Sequence, residues 1–263
     1  MREEDRINQS RYYEGIVSVR TLIENCQKKA ADGEYFNGRK IVKVCVSEDR
    51  KAKNGSEYRW LSARAEELGF ILDVIPSDVL DGMVQGTTHG GIIAEAGEHS
   101  FPALTAEIAE RSRFAVMLDG IEDPFNFGYC LRSLYAAGCD CVILPERNWM
   151  AVSHIVCKSS AGASELLPMY IQSAEETAEI FRSVGHKVAA ADLRDSVPIY
   201  DAPLSFPILL IIGGEKRGIS RSVLDKCDIR VRIDYGRKFS ASLSAASAAT
   251  VVGFEIHRQN RNK

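Results

Sequence analysis

From residue 114 onward, short apolar runs alternate with amphipathic stretches. Ala115–Leu118, Cys141–Leu144, Val188–Ala191 and Ile208–Ile212 are unbroken apolar runs, and Ile229–Ile233 alternates apolar with basic residues. Unbroken runs of four or five such residues predict strands buried on both faces, as in parallel sheets. Between them, helical spacing predicts helices over Phe125–Ala137, a short one near Val152–Lys158, then Ala174–Val184, Arg221–Cys227 and Ser242–Arg258. Strand and helix in turn predict an α/β domain built on a parallel sheet. The chain before residue 105 carries a different pattern. Ile16, Val19, Leu22, Ile23 and Cys26 lie on one face of a helix predicted over Tyr13–Lys28. Strands are predicted at Ile41–Val46, Phe70–Ile75 and Ile92–Glu95. Helices fall at Tyr58–Leu68, stopped by Gly69, and at Val79–Met83 behind a Ser77-Asp78 cap. The Gly/Ser/Pro-containing stretch Gly97–Pro102 closes this smaller α/β unit, and Thr105–Arg113 predicts a connecting helix. Two domains follow, 1–105 and 106–263.

Composition narrows the class. Hydrophobic residues make up 45% and charged residues 26%, which is globular usage. No apolar run is long enough to span a bilayer, and the charged start MREEDRINQS lacks the apolar region of a secretory signal, so a cytoplasmic protein with no membrane partner is expected. Cys26, Cys45, Cys130, Cys139, Cys141, Cys157 and Cys227 include no Cys-x-x-Cys pair and are expected to be reduced core residues. His89, His99, His154, His186 and His257 are scattered, fit surface or loop positions, and offer neither metal-ligand nor triad spacing; no metal is expected. Trp60 and Trp149 are expected to pack rather than stack on bases. The net charge of −3 argues against a protein that is basic all over. Yet Lys216 to Lys238 holds eight cations against three acids, a local patch that the total hides.

Ligands of open parallel sheets sit beyond the carboxyl ends of the strands, so the segments after the strands carry the chemistry. After Leu118, Asp123 and Pro124 form a helix start, and Gly128 and Arg132 share a helix face one turn apart. A glycine there opens space beside the guanidinium. After Ile212 comes Gly213-Gly214-Glu215-Lys216-Arg217-Gly218, a turn whose glycines admit close backbone approach. It has no Gly-Lys-Ser/Thr ending and is not a phosphate loop. After Ile233 a polar loop leads into the Ser/Ala run Ser240–Thr250. The apolar residues Val251, Val252, Phe254 and Ile256 behind it predict a docked helix rather than a linker.

Together and in this order, the three segments resemble the signature motifs of the SpoU/TrmH methyltransferases. Asp123, Pro124, Asn126, Gly128 and Arg132 resemble the first motif, Gly213, Glu215 and Gly218 the second, and Ile233, Ser242 and Leu243 the third. Lys158 to Pro168 resembles a linking stretch of the ribosomal RNA members, and YEGIVSVRTLIEN with HGGIIA resembles their L30e-like substrate-binding domain. The resemblance implies a deep trefoil knot in the second domain, S-adenosylmethionine as cofactor, and transfer of its methyl group to a ribose 2′-hydroxyl of RNA, above all 23S ribosomal RNA. It implies a homodimer whose active site borrows residues from the partner subunit. It assigns Arg132, Asn126, Glu215, Ser242 and Ser244 to catalysis, and Gly213, Gly218, Ile233 and Leu243 to the cofactor. Arg132 is either general base or electrostatic stabiliser, and a guanidinium is poorly suited to the first role. Two departures stand out: Ser244 replaces the family's Asn, and Asp234-Tyr235 replaces Pro-Met. They leave open a non-catalytic RNA-binding relative.

Overall fold

The computed structural model describes residues 12–27, 39–84, 88–97, 99, 101–146 and 152–262; Trp149 lies outside them. The described residues form two compact units, one drawn from 1–100 and 148–166, the other from 101–147 and 167–263.

The first unit begins with β1 (Tyr12–Glu14) and α1 (Gly15–Gln27). Then come β2 (Ile41–Ser47), α2 (Glu48–Lys53), α3 (Gly55–Leu68), β3 (Ile71–Ile75), α4 (Ser77–Met83) and β4 (Ile92–Ala96). The sheet order is β1-β4-β2-β3, with β4 antiparallel to both neighbours and β2 parallel to β3. The spacing on α1 works as expected: Val19, Leu22, Ile23 and Cys26 are buried. Gly69 ends α3 at φ 74, a left-handed position suited to glycine. The helix at 77 starts at Ser77 itself and has no side-chain cap, so the expected Ser77-Asp78 cap is absent. Trp60 packs against this core, with the Arg20 guanidinium 5.1 Å from its ring.

Two helices complete the unit from far along the chain, α7 (Ser153–Ser159) and α8 (Ala163–Leu166). Residues 148–166 thus pack with the first unit although they follow the expected boundary at 105/106 in the chain. The cause lies in tertiary packing. Cys157 inserts into the apolar core of the first unit. Arg39 Nη1 donates to both oxygens of Glu165 at 3.0 and 3.1 Å, and His99 Nε2 lies 3.1 Å from the same carboxylate. All three side chains are buried. His89 and His186 are buried too, so these three histidines occupy loops, as expected, but lie inside rather than at the surface.

The second unit holds a seven-stranded sheet, every pairing parallel, in the order β7-β6-β5-β10-β8-β11-β9. Its elements are α5 (Ala106–Arg111), β5 (Phe114–Asp119), α6 (Pro124–Ala136), β6 (Cys141–Leu144), β7 (Met169–Ile171), α9 (Ala174–Ser183), β8 (Lys187–Ala191), β9 (Val197–Pro198), β10 (Ile208–Gly213), α10 (Arg221–Leu224), β11 (Ile229–Arg232) and α11 (Ala245–Asn260). The apolar runs are the central strands, and every residue of Ile208–Ile212 is buried. The Ser/Ala run does form a docked helix, starting at Ala245 rather than Ser242. Ala245, Ala246 and Ala249 are buried, and a Cβ on Gly253 would lie 3.3 Å from Leu134 of α6. Small side chains thus let α11 lie close against α6, where Thr250 Oγ1 donates to Ser133 Oγ at 2.6 Å. All seven cysteines are reduced. Among the described residues, no helix is long and apolar enough to cross a membrane.

Candidate active site

Because all the strands run parallel, the segments leaving their carboxyl ends gather on one edge of the sheet. β5, β10, β8 and β11 are neighbours, so the segments at 119–123, 213–220, 192–196 and 233–244 are neighbours too. A cavity of about 950 Å³ opens there. It is lined by Gly213, Glu215, Gly218, Ile233, Ser242 and Leu243, six residues singled out from sequence, together with Asp192, Arg217, Tyr235 and Val252.

The glycines at 213–218 have an immediate mechanical reason. Gly214 N donates to Asp119 O at 2.7 Å, and a Cβ on Gly214 would sit 2.0 Å from Gly120 O. A Cβ on Gly213 would sit 2.5 Å from the carbonyl carbon of Gly218. Such distances cannot be relieved by side-chain motion, since the opposing atoms are backbone. Gly218 itself has φ +63 and donates its N–H to Gly214 O at 2.8 Å. The turn is therefore folded back on itself and locked to the start of the 119–123 segment.

Glu215 connects the three motif segments. Its Oε1 accepts from Asn126 Nδ2 at 3.1 Å and from Ala245 N at 3.3 Å. Ala245 is the first residue of α11, where free amides and the helix dipole favour an anion. Asn126 is fixed in turn by the start of α6, where Asp123 Oδ1 accepts its backbone N–H at 2.7 Å. The predicted Asp-Pro helix start is present as drawn from sequence.

Three of the residues singled out do not line the cavity. Asn126 stands behind Glu215. Ser244 is the N-cap of α11, its Oγ accepting from Ser247 N at 3.2 Å. Arg132 lies on α6 and is exposed, with no hydrogen-bond or ion-pair partner among the described residues. Cys130, on the buried side of α6, is no nucleophile: burial and the charge of Glu215 push its thiol up to about 12. Burial, with help from Glu175, also raises the carboxyl of Asp119 above its ordinary range.

Sequence reasoning missed the fourth wall, 191–195, although a strand ending at Ala191 was predicted and the carboxyl-end rule applies to it equally. Two arginines of β11 brace this wall. Arg232 donates to Ser196 O and, through Nε, to Asp234 at 2.8 Å, so it joins the 192–196 and 233–244 segments. Arg230 lies 3.7 Å from Asp195. Tyr235 accepts from Leu243 N through its hydroxyl at 3.0 Å and ties the two ends of its loop together.

Residues 113–254 match the SpoU rRNA Methylase family, and residues 36–102 match the family described as RNA 2′-O ribose methyltransferase substrate binding. The chain is 29% identical over 238 residues to a Staphylococcus haemolyticus protein assigned to the TrmH family of tRNA/rRNA methyltransferases, covering 88% of this chain and 94% of that one. It is 28% identical over 252 residues to the 23S rRNA (guanosine-2′-O-)-methyltransferase RlmB of Yersinia pestis, covering 93% and 96%. Its fold superposes on the AdoMet-bound rRNA methyltransferase of Sinorhizobium meliloti with a TM-score of 0.75 at 20% identity, over 97% of this chain and 93% of that one.

Proposed function

Since the chain belongs to the SpoU rRNA Methylase family, we propose that it transfers a methyl group from S-adenosylmethionine to a ribose 2′-hydroxyl of RNA, with 23S ribosomal RNA as substrate. One observation carries this reading: the second and third motif segments meet at a single cavity, and Glu215 bonds the first motif to both. The cavity volume falls within the range of small-molecule sites. Half-buried Ile233 and Leu243 offer an apolar wall, the turn at Gly213 and Gly218 offers backbone groups, and Asp192 and Glu215 offer carboxylates to a cationic ligand. These residues fit a sulfonium nucleoside.

When bound, S-adenosylmethionine supplies an electrophilic methyl group. The chain's own residues then have two tasks. Glu215, held by Asn126 and by the α11 amide, keeps the turn and the helix start in fixed relation, and fixed placement lowers the barrier of a displacement. Arg132 meets the RNA. Guanidinium groups stay protonated in proteins, so Arg132 acts as a cation that holds a flanking phosphate and stabilises charge developing on the 2′-oxygen, whose proton passes to solvent water. Ser242, exposed at the cavity, is available to the ribose.

Arg132 does not line its own chain's cavity, and this supports the homodimer that the family resemblance implies. Phe125 and Tyr129 on α6 and Phe254 on α11 are 50%, 47% and 45% exposed. Large apolar side chains on two packed helices suit an interface with a second copy, which would bring Arg132 to the partner's cavity. The first unit would recruit RNA, as its match to the substrate-binding family supports. The knotted path of the second unit and a cytoplasmic location belong to the same reading. The non-catalytic alternative rests on Ser244, but Ser244 caps α11 as an asparagine would.

The test is calorimetry with S-adenosylmethionine, then methyl transfer from labelled cofactor to ribosomal RNA with 2′-O-methyl sites mapped by mass spectrometry. Absence of cofactor binding sinks the proposal. Binding without transfer establishes the non-catalytic alternative.

A further inference from the structure

The segment after β11 carries residues that the cavity and its proposed chemistry leave unused. Tyr235, Arg237, Lys238 and Phe239 share this loop, and Tyr235 lines the cavity. Phe239 is 63% exposed, more than any other phenylalanine among the described residues. Its ring lies 6.1 Å from that of Tyr235, tilted by 55°. Tyr235 is anchored by the Leu243 amide, so the aromatic pair stands on a tethered loop.

This loop is net positive. Its acid, Asp234, is paired with Arg232. Arg237 and Lys238 are exposed and have no hydrogen-bond or ion-pair partner among the described residues, and neither has Arg217 on the cavity wall. An exposed flat ring flanked by unpaired cations matches single-stranded nucleic acid, whose bases stack on aromatics while its phosphates meet the cations. In a duplex the bases are stacked on each other and offer no free face.

We propose that Phe239 is the stacking platform for an unpaired base next to the methylated ribose, with Arg237 and Lys238 holding its phosphates and Tyr235 stiffening the loop. The protein therefore selects a nucleotide in a loop or single strand. This rests on the methyltransferase reading above and adds to it the conformation of the RNA.

The probe is a short fluorescein-labelled RNA of mixed sequence, single-stranded or annealed to its complement, titrated with the full chain. Phe239→Ala should weaken single-strand binding roughly 10-fold, Phe239→Trp should restore it, and duplex binding should be indifferent to both. Affinity for S-adenosylmethionine should not change. Wild-type affinity of Phe239→Ala for the single strand overturns the proposal. So does a loss accompanied by dissociation of the assembly in sedimentation, since the ring would then cover a second copy. If the unaltered protein fails to bind S-adenosylmethionine, the methyltransferase reading fails, whatever Phe239 does.

Discussion

The side-chain amide of Asn126 donates to Glu215 Oε1 at 3.1 Å, joining residues 89 positions apart in the chain. The same oxygen takes the first amide of α11 at 3.3 Å. Glu215 is thus the joint of three segments, and its loss should appear in turnover before it appears in stability. Glu215→Ala should lower kcat for methyl transfer ~100-fold, the size expected when reacting groups are misplaced by about 1 Å. Glu215→Gln retains an acceptor and should lose far less. Equal losses in steady-state kinetics would show that the negative charge, and not the joint, matters.

Arg132 should be indispensable for transfer and dispensable for the cofactor. Arg132→Ala is expected to cut methyl transfer ~1000-fold, as removal of a charge-stabilising donor does, while calorimetry shows unchanged S-adenosylmethionine binding. Mixing Arg132→Ala with Glu215→Ala subunits should restore part of the activity if each cavity uses the other subunit's arginine. No recovery in the mixture would place the arginine with its own cavity.

Ser244 should behave as a cap. Ser244→Ala should cost about 1 kcal/mol of stability in urea unfolding, and Ser244→Asn should cost almost nothing and leave transfer intact. A gain of activity in Ser244→Asn would mean that the side chain at this position does more than cap the helix.

Glu165 should make the first unit acid-labile. Burial alone would push its carboxyl up, but His99 and Arg39 outweigh burial and hold it down to about 2, against an ordinary value of 4.5. A depressed carboxyl stabilises the fold above the ordinary value. That contribution is lost as pH falls from about 4.5 towards about 2. Unfolding followed by circular dichroism should show this loss, and Glu165→Ala, which strands a buried guanidinium, should cost ~3–5 kcal/mol at neutral pH.

Legibility varied with how local the cause is. Ile208–Gly213 and Cys141–Leu144 were readable because strands buried on both faces need unbroken apolar runs. The start of α6 was readable because Asp123 and Pro124 act within one turn. β1, β7 and β9 were not, since two or three residues carry no period. The motif turns were legible as glycine spacing, and the structure supplies the reason: backbone contacts at Gly120 and Gly218. The wall at 191–195 has no motif and owes its place to the neighbours of β8. Nor does any local pattern mark Glu165 as the partner of Arg39, 126 residues earlier.

That last pairing bears on how the chain folds as it is made. Synthesis runs from the amino end, and domains generally fold as units once complete. The first unit here is not complete until α7 and α8 have been made, after β5 and β6 of the second unit. Arg39 must therefore wait for its carboxylate while the early strands of another sheet are already emerging from the ribosome. The two units cannot mature strictly one after the other, and a fragment cut at the end of β4 would be missing part of its own interior.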